Sequence, residues 1–303
     1  MKFQFKIQPF QPEAVDLGYR PPYRWEAILN FFAGRAIAGV ESVSAGEYFR
    51  TVCFTEADEK RVSGWLRVKN NPDKNTLSVT MSENLLPVLP RVLSRVKRQF
   101  DLHCDPNTVY ETLSSMNEIR PGLCVIGTRM PGCFNAFEMA VRSVLGQQIT
   151  VKAAGTLAAR IADALGTPIE TGIPGLTRTF PTPEDMLAIS EDIESRLGEL
   201  GVTSTRSRAI YELARVFAEG GVDFDYPVDP EEEMKKLTGL RGIGSWTANV
   251  IAMRAMGYTD AFLETDYGVK KALAPRTAKE LRSLAESWRP WRGYAVVNLL
   301  NSL

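Results

Sequence analysis

A single histidine and four cysteines in 303 residues leave little material for metal or triad chemistry. Cys53, Cys104, Cys124 and Cys133 contain no C-x-x-C pair, so zinc and iron–sulfur sites are not expected. The cysteines read as reduced, buried or half-buried apolar residues. His103 lies in the polar stretch Asp101-Leu102-His103-Cys104-Asp105 with no nucleophile signature beside it, which argues against a Ser–His–Asp triad. No apolar run approaches the length of about 18 residues that a membrane-spanning helix needs. The start MKFQFKIQPF lacks the apolar core of a secretory signal, so the cytoplasm is the expected compartment. Net charge is absent too, with 36 Lys and Arg against 36 Asp and Glu. Taken whole, that balance gives no general attraction to a polyanion.

What is present is a soluble globular composition, 44% hydrophobic and 24% charged, long enough for about two ordinary domains. The zero charge conceals a polarity. Residues 235–303 hold 11 Lys or Arg and 5 Asp or Glu, a net of +6 that the rest of the chain offsets. Period-two alternation predicts strands at 2–8, 47–54, 61–68 and 77–81, with helices near 25–37 and 87–98. From about residue 107 the pattern turns helical. Phe137, Val141, Val144 and Leu145 share one helix face, and Leu157, Ile161 and Leu165 share another. Further helices are expected at 184–190, 192–199 and 206–219, and Asp229 with Pro230 marks another helix start.

The chemistry concentrates in residues 234–271. A short helix over about 230–237 meets Leu240-Arg241-Gly242-Ile243-Gly244, and a second helix is expected from Ser245 to Met256 with Gly257 as its C-cap. Gly242 and Gly244 permit a tight hairpin with positive φ angles and the close approach of another backbone. The amides of such a turn and of the following helix start form an anion site. A Gly-x-Gly alone is often only a helix connection; with helices on both sides and a basic flank it looks like a helix–hairpin–helix, a device that grips DNA phosphates without reading sequence. Asp266 stands just before Tyr267-Gly268-Val269-Lys270-Lys271. It is placed to cap a helix, and a reactive carboxylate there is compatible with that role. Lys270 and Lys271 read either as phosphate contacts or as a solvated helix face.

This segment resembles the helix–hairpin–helix DNA glycosylases, in which an aspartate matching Asp266 is catalytic. Members that also cut the backbone carry a lysine where this chain has Trp246, and the four-cysteine cluster of the endonuclease III branch is missing. Both departures imply a monofunctional enzyme. PPYRW (21–25), DLHCDP (101–106), PGCFNAFE (131–138), VLGQQITVKAA (144–154), FPTPEDM (180–186) and ESWRPWRGYA (286–295) follow in the order seen in the bacterial DNA-3-methyladenine glycosylase II family. The resemblance covers about residues 20–300.

It implies an α+β protein: an N-terminal domain over residues 1–115 with a TATA-binding-protein-like sheet, a central helical domain over 116–225, and a hairpin domain over 226–303 whose last helix packs back. It further implies base flipping, excision of alkylated purines from double-stranded DNA, and a monomer. Phe31, Trp246 and Tyr267 match aromatics of the family's base pocket; without the resemblance, such residues more often belong to a core. Gly242, Ile243, Gly244, Thr247, Lys270 and Lys271 match the DNA grip, and Gln148 stands where the family has an aliphatic wedge. Val250 and Leu300 replace two further pocket aromatics, which keeps open a different lesion, such as a deaminated or oxidised base. A non-catalytic binder of distorted DNA is the remaining alternative. No cofactor is implied beyond a structural Na+ or K+ held by the backbone of Thr238, Leu240 and Ile243.

Overall fold

A computed structural model of the protein describes residues 14–55, 60–189, 192–225 and 227–303. The strand expected at 2–8 lies outside them. Five strands form one antiparallel sheet in the order β1-β5-β4-β3-β2: β1 (Val15–Gly18), β2 (Glu41–Ser44), β3 (Glu47–Thr55), β4 (Arg61–Asn71) and β5 (Thr76–Met81). The centre is the β3–β4 ladder, with Tyr48 opposite Val68 and Phe54 opposite Val62. Alternation sends Tyr48, Val52 and Phe54 inward, under α1 (Trp25–Ala33) and α2 (Leu89–Gln99). The helix expected to reach residue 37 ends at Ala33, and Gly34 bonds back to the Asn30 carbonyl.

The remainder is helical: α3 (Pro106–Leu113), α4 (Met116–Ile119), α5 (Ala136–Leu145), α6 (Val151–Leu165), α7 (Pro183–Leu187), α8 (Ile193–Glu199), α9 (Ser204–Glu219), α10 (Pro230–Thr238), α11 (Ser245–Ile251), α12 (Tyr267–Ala272), α13 (Ala278–Ala285) and α14 (Arg292–Asn301). Helix starts follow side-chain chemistry. Asp105, Asn135, Thr150, Thr182, Asp229, Asp266 and Thr277 each accept a hydrogen bond from an amide of the first turn they precede.

The helices bury two apolar cores that interleave along the chain. One joins α5–α9 to the hairpin helices through Leu237, Ile243, Ala248 and Ile251. The other joins 104–130 to 253–299, with Trp288 and Tyr294 among its largest members. Sequential boundaries at 115 and 225 therefore cut across both cores, because a helix packs by its apolar face and not by its place in the chain. Asp260, 6% exposed, anchors this region by accepting from Arg289 and, at 2.7 and 2.9 Å, from Arg292. All four cysteines are free, buried or half-buried. His103 is exposed in a turn and does not line the cleft described below.

Asp101 links α2 to α14, accepting from the Met130 amide at 2.9 Å and the Tyr294 hydroxyl at 3.1 Å. Desolvation pushes its carboxyl group from 3.8 up to about 6. Ionisation therefore costs the fold: the stability is greatest below pH 3.8 and is lost as pH rises through 6. Asp101→Asn, which suits a backbone at φ +53°, is expected to gain melting temperature over the wild type between pH 4 and 6 and to keep that gain above pH 6. A constant difference across thermal melts at pH 4, 5, 6 and 7 would contradict this.

Candidate active site and DNA-binding face

A cleft of about 440 Å³ opens between the sheet domain and the helices, with Phe31, Trp246 and Asp266 in its walls. Asp266 caps α12. Its Oδ1 accepts from the Gly268 amide at 2.8 Å and the Val269 amide at 3.2 Å. Its Oδ2 accepts from the Trp246 indole N–H at 3.0 Å. The carboxylate is thus oriented by three donors from two helices, and the capping role read from the sequence is the one its bonds display.

The hairpin joins α10 to α11. Gly242 has φ +89°, and a Cβ there would lie 3.0 Å from that of Ala209, so this glycine is required twice over. Gly244 departs from expectation: at φ −89° it needs no special conformation, and it serves as the N-cap of α11 with open space where a Cβ would stand. Ile243 is 4% exposed and its side chain belongs to the core, leaving only its backbone for a partner. Thr247 is likewise turned inward. It is 2% exposed and its hydroxyl accepts from Gln147 Nε2 at 3.0 Å, so the side chain is committed inside the fold and, as at Ile243, only the backbone is left for a partner. The same Gln147 nitrogen donates to the Gly242 carbonyl at 2.9 Å, tying the α5–α6 loop to the hairpin. Gln148 beside it is exposed, at φ +56°.

Of the three pocket aromatics, Trp246 and Phe31 are half-buried in the cleft walls. Tyr267 is 80% exposed at its mouth, because the first residue of α12 projects outward once Asp266 turns inward to cap. Val250 and Leu300 line the cleft. Lys270 and Lys271 are exposed in the last turn of α12.

Four arginines of the cleft escaped the sequence reading: Arg35, Arg50, Arg142 and Arg254. Arg50 donates to Glu138 at 2.7 Å, and Arg142 donates to Glu41 at 3.1 Å and Glu138 at 3.3 Å. Tyr48 adds a hydroxyl bond of 2.5 Å to Glu41. This network seals the sheet domain against α5. Desolvation raises the Glu41 carboxyl group, but Arg142, Arg50 and the hydrogen bonds from Tyr48 and the Ile37 amide outweigh it and hold it below 4.5. The helix expected to run to Met256 ends at Ile251 and continues as a π-helical turn over Ala252–Met256, closed by Gly257 at φ +72°. Such turns widen the helix and re-aim its side chains; here Met253 and Arg254 line the cleft. No part of the sequence pattern signals this. Gln147 was in view within VLGQQ, but its bonds cross about a hundred residues.

Residues 14–135 match the model of the AlkA N-terminal domain, and residues 141–287 match that of the HhH-GPD superfamily base excision DNA repair proteins. The chain is 35% identical over 283 residues to DNA-3-methyladenine glycosylase 2 of Escherichia coli (strain K12), covering 93% of this chain and 95% of that protein. It belongs to the DNA-3-methyladenine glycosylase 2 family. A 3-methyladenine DNA-glycosylase from Archaeoglobus fulgidus superposes with a TM-score of 0.74 at 20% identity, covering 94% of this chain and 97% of that one. A Clostridium acetobutylicum 8-oxoguanine glycosylase/lyase in complex with dsDNA gives 0.70 at 18%, with 96% and 95% covered. These two share the fold: an antiparallel sheet domain followed by the helical domain that in this family carries the hairpin. Among the described residues no helix is long and apolar enough to cross a membrane.

Proposed function

We propose that this family member is a monofunctional DNA N-glycosylase that flips alkylated purines of the 3-methyladenine type out of double-stranded DNA and hydrolyses the glycosidic bond. The observation that carries this reading is Asp266, a carboxylate held by three hydrogen bonds in the wall of a cleft beside the hairpin. A stacked base cannot be reached in place, so the nucleotide must rotate into such a cleft. As the C1′–N bond stretches, positive charge grows on the sugar, and a carboxylate fixed nearby stabilises it at no cost of reorganisation. Trp246 offers an indole face in the same wall. No lysine stands in its place to form a covalent intermediate with the sugar, so the product is an abasic site with an intact strand.

No cofactor is required for hydrolysis by water. The hairpin carbonyls suit a Na+ or K+ ion: Leu240 accepts the Ile243 amide at 3.1 Å, while Thr238 and Ile243 accept no backbone hydrogen bond among the described residues. Bound there, the cation would add positive charge to the hairpin without taking part in the reaction.

The deciding assay is release of free base from methylated, deaminated and oxidised duplexes, with alkali treatment to reveal abasic sites. Release of 3-methyladenine without spontaneous nicking is expected. Release of 8-oxoguanine alone would overturn the alkylation reading, nicking without alkali would overturn monofunctionality, and binding of abasic DNA with no release would overturn the enzyme. For the DNA grip, Lys270→Ala and Lys271→Ala are each expected to lower the slope of log K against log salt by roughly one. An unchanged slope would make both lysines merely a solvated face.

A further inference from the structure

Most of the buried polar side chains that line the cleft are answered within the protein. Arg50 donates to Glu138, and Glu41 accepts from Tyr48 and Arg142. Ser143 donates to the Met139 carbonyl at 2.8 Å, and Arg254 to the Pro131 carbonyl at 2.5 Å. Gln99, the last residue of α2, is different. It is 1% exposed, it lines the cleft, and its Oε1 has no hydrogen-bond partner among the described residues. A buried acceptor left unmatched costs stability, so its place in a cleft wall calls for a donor from outside the chain. The backbone beneath it is pinned. The Gln99 carbonyl accepts from the Gly132 amide at 3.0 Å, and a Cβ at Gly132 would lie 2.5 Å from the Arg98 carbonyl oxygen. The amide is therefore presented from a fixed support. The cleft also has depth. Asp266 is half-buried next to Tyr267 at the mouth, whereas Gln99 is buried as deeply as Arg50 and Glu138, 3% and 2% exposed. A nucleotide with its C1′ at Asp266 enters with N9 outermost. The opposite edge of the purine, N1 and C6 with its substituent, then travels deepest.

We propose that Gln99 is a specificity-determining residue that reads this edge: Oε1 accepts from the 6-amino group of an adenine-type lesion, and Nε2 donates to the ring nitrogen beside it. The inference rests on the glycosylase reading and names what ranks one alkylated purine above another. The fit is chemical. A glutamine amide offers an acceptor and a donor side by side, the complement of an adenine amine and its neighbouring ring nitrogen. Methylation at N3 puts positive charge on the ring and makes the amine a stronger donor, and hydrogen bonds from a charged group are stronger than neutral ones. A guanine-type lesion brings a carbonyl oxygen to the same place, acceptor against acceptor, and is accommodated only after the amide turns over. Undamaged adenine carries the same amine without the charge. Gln99 therefore ranks lesions and does not by itself detect damage.

The test uses a methylated duplex that carries 3-methyladenine and 7-methylguanine together; both are cationic, and at C6 one has an amine and the other a carbonyl. Single-turnover release of each base is followed for wild type, Gln99→Leu and Gln99→Glu. Gln99→Leu, of similar size but without hydrogen-bonding groups, is expected to lower 3-methyladenine release about tenfold and 7-methylguanine release by no more than about twofold. Gln99→Glu keeps an acceptor in place and should hold 3-methyladenine release within about threefold of wild type. Equal losses on both bases in Gln99→Leu would assign Gln99 a purely structural role and overturn the proposal. A ratio moving the other way would overturn it too, as would a loss of 3-methyladenine release in Gln99→Glu as deep as in Gln99→Leu. Wild type releasing neither base fails the glycosylase reading itself, an outcome distinct from an unmoved ratio.

Discussion

Asp266→Asn is expected to lower single-turnover base release by about a thousandfold, the scale on which a preorganised electrostatic group acts on a charged transition state. The substitution is chosen because it separates charge from structure. Asparagine is as good an N-cap as aspartate, so an amide oxygen can still accept from the Gly268 and Val269 amides and hold the start of α12. What the variant gives up is the negative charge and the acceptor for the Trp246 indole, since the amide NH2 would then face another donor. A stability loss of about 1 kcal/mol is expected from that one bond. Binding to an abasic duplex should be nearly unchanged. Release within threefold of wild type, in a variant that binds abasic DNA normally, would remove Asp266 from the reaction. Asp266→Ala is the less informative change, because it removes both caps together with the charge.

Removal of Glu138 is expected to have the largest effect on stability. Glu138 is 2% exposed and answers Arg50, itself 3% exposed, at 2.7 Å, as well as Arg142 at 3.3 Å. Glu138→Ala leaves Arg50 buried with only Glu41 at 3.7 Å, and breaking such a pair from one side costs about 3–5 kcal/mol. Urea unfolding of Glu138→Ala against wild type at neutral pH measures it; a loss below about 1 kcal/mol would mean the network is solvated and not buried. The pH dependence has a defined sign. Because the folded Glu41 carboxyl group lies below 4.5, its contribution is fully present above that value and is lost as pH falls through the lower folded one. The wild-type urea midpoint should therefore begin to fall only below about pH 4.5. The same network clamps α5 to the sheet and lines the cleft, so its loss should also blur the geometry around Phe31.

Much of the scaffold was readable from local pattern. Alternation located β3, β4 and β5 within a few residues, since each has one face in the core and one in water. Capping chemistry marked the starts of α10 and α12, and Gly257 marked the close of the π-helical turn. The short strands β1 and β2 escaped, because four residues carry too little periodicity and become strands only through β5 and β3.

The linear chain by itself determined the glycines of the hairpin and an Asp266 placed before a helix, and its resemblance to the family singled out Asp266 and Trp246 as candidates for the chemistry. Their spacing is local, so a pattern within forty residues contains it. Tertiary structure alone decided what each of them touches. It turned Tyr267 to the mouth of the cleft, committed Thr247 to Gln147, and brought Arg35 and Arg254 over one phenylalanine from positions more than two hundred residues apart. It also set Glu41 and Glu138 against Arg50 and Arg142 at ion-pair distance, and left Arg35 with Asp266 as a countercharge beyond that distance. The reason is physical. A buried charge takes its character from the groups that replace its water, and those groups are chosen by the packing of distant elements, not by sequence neighbours.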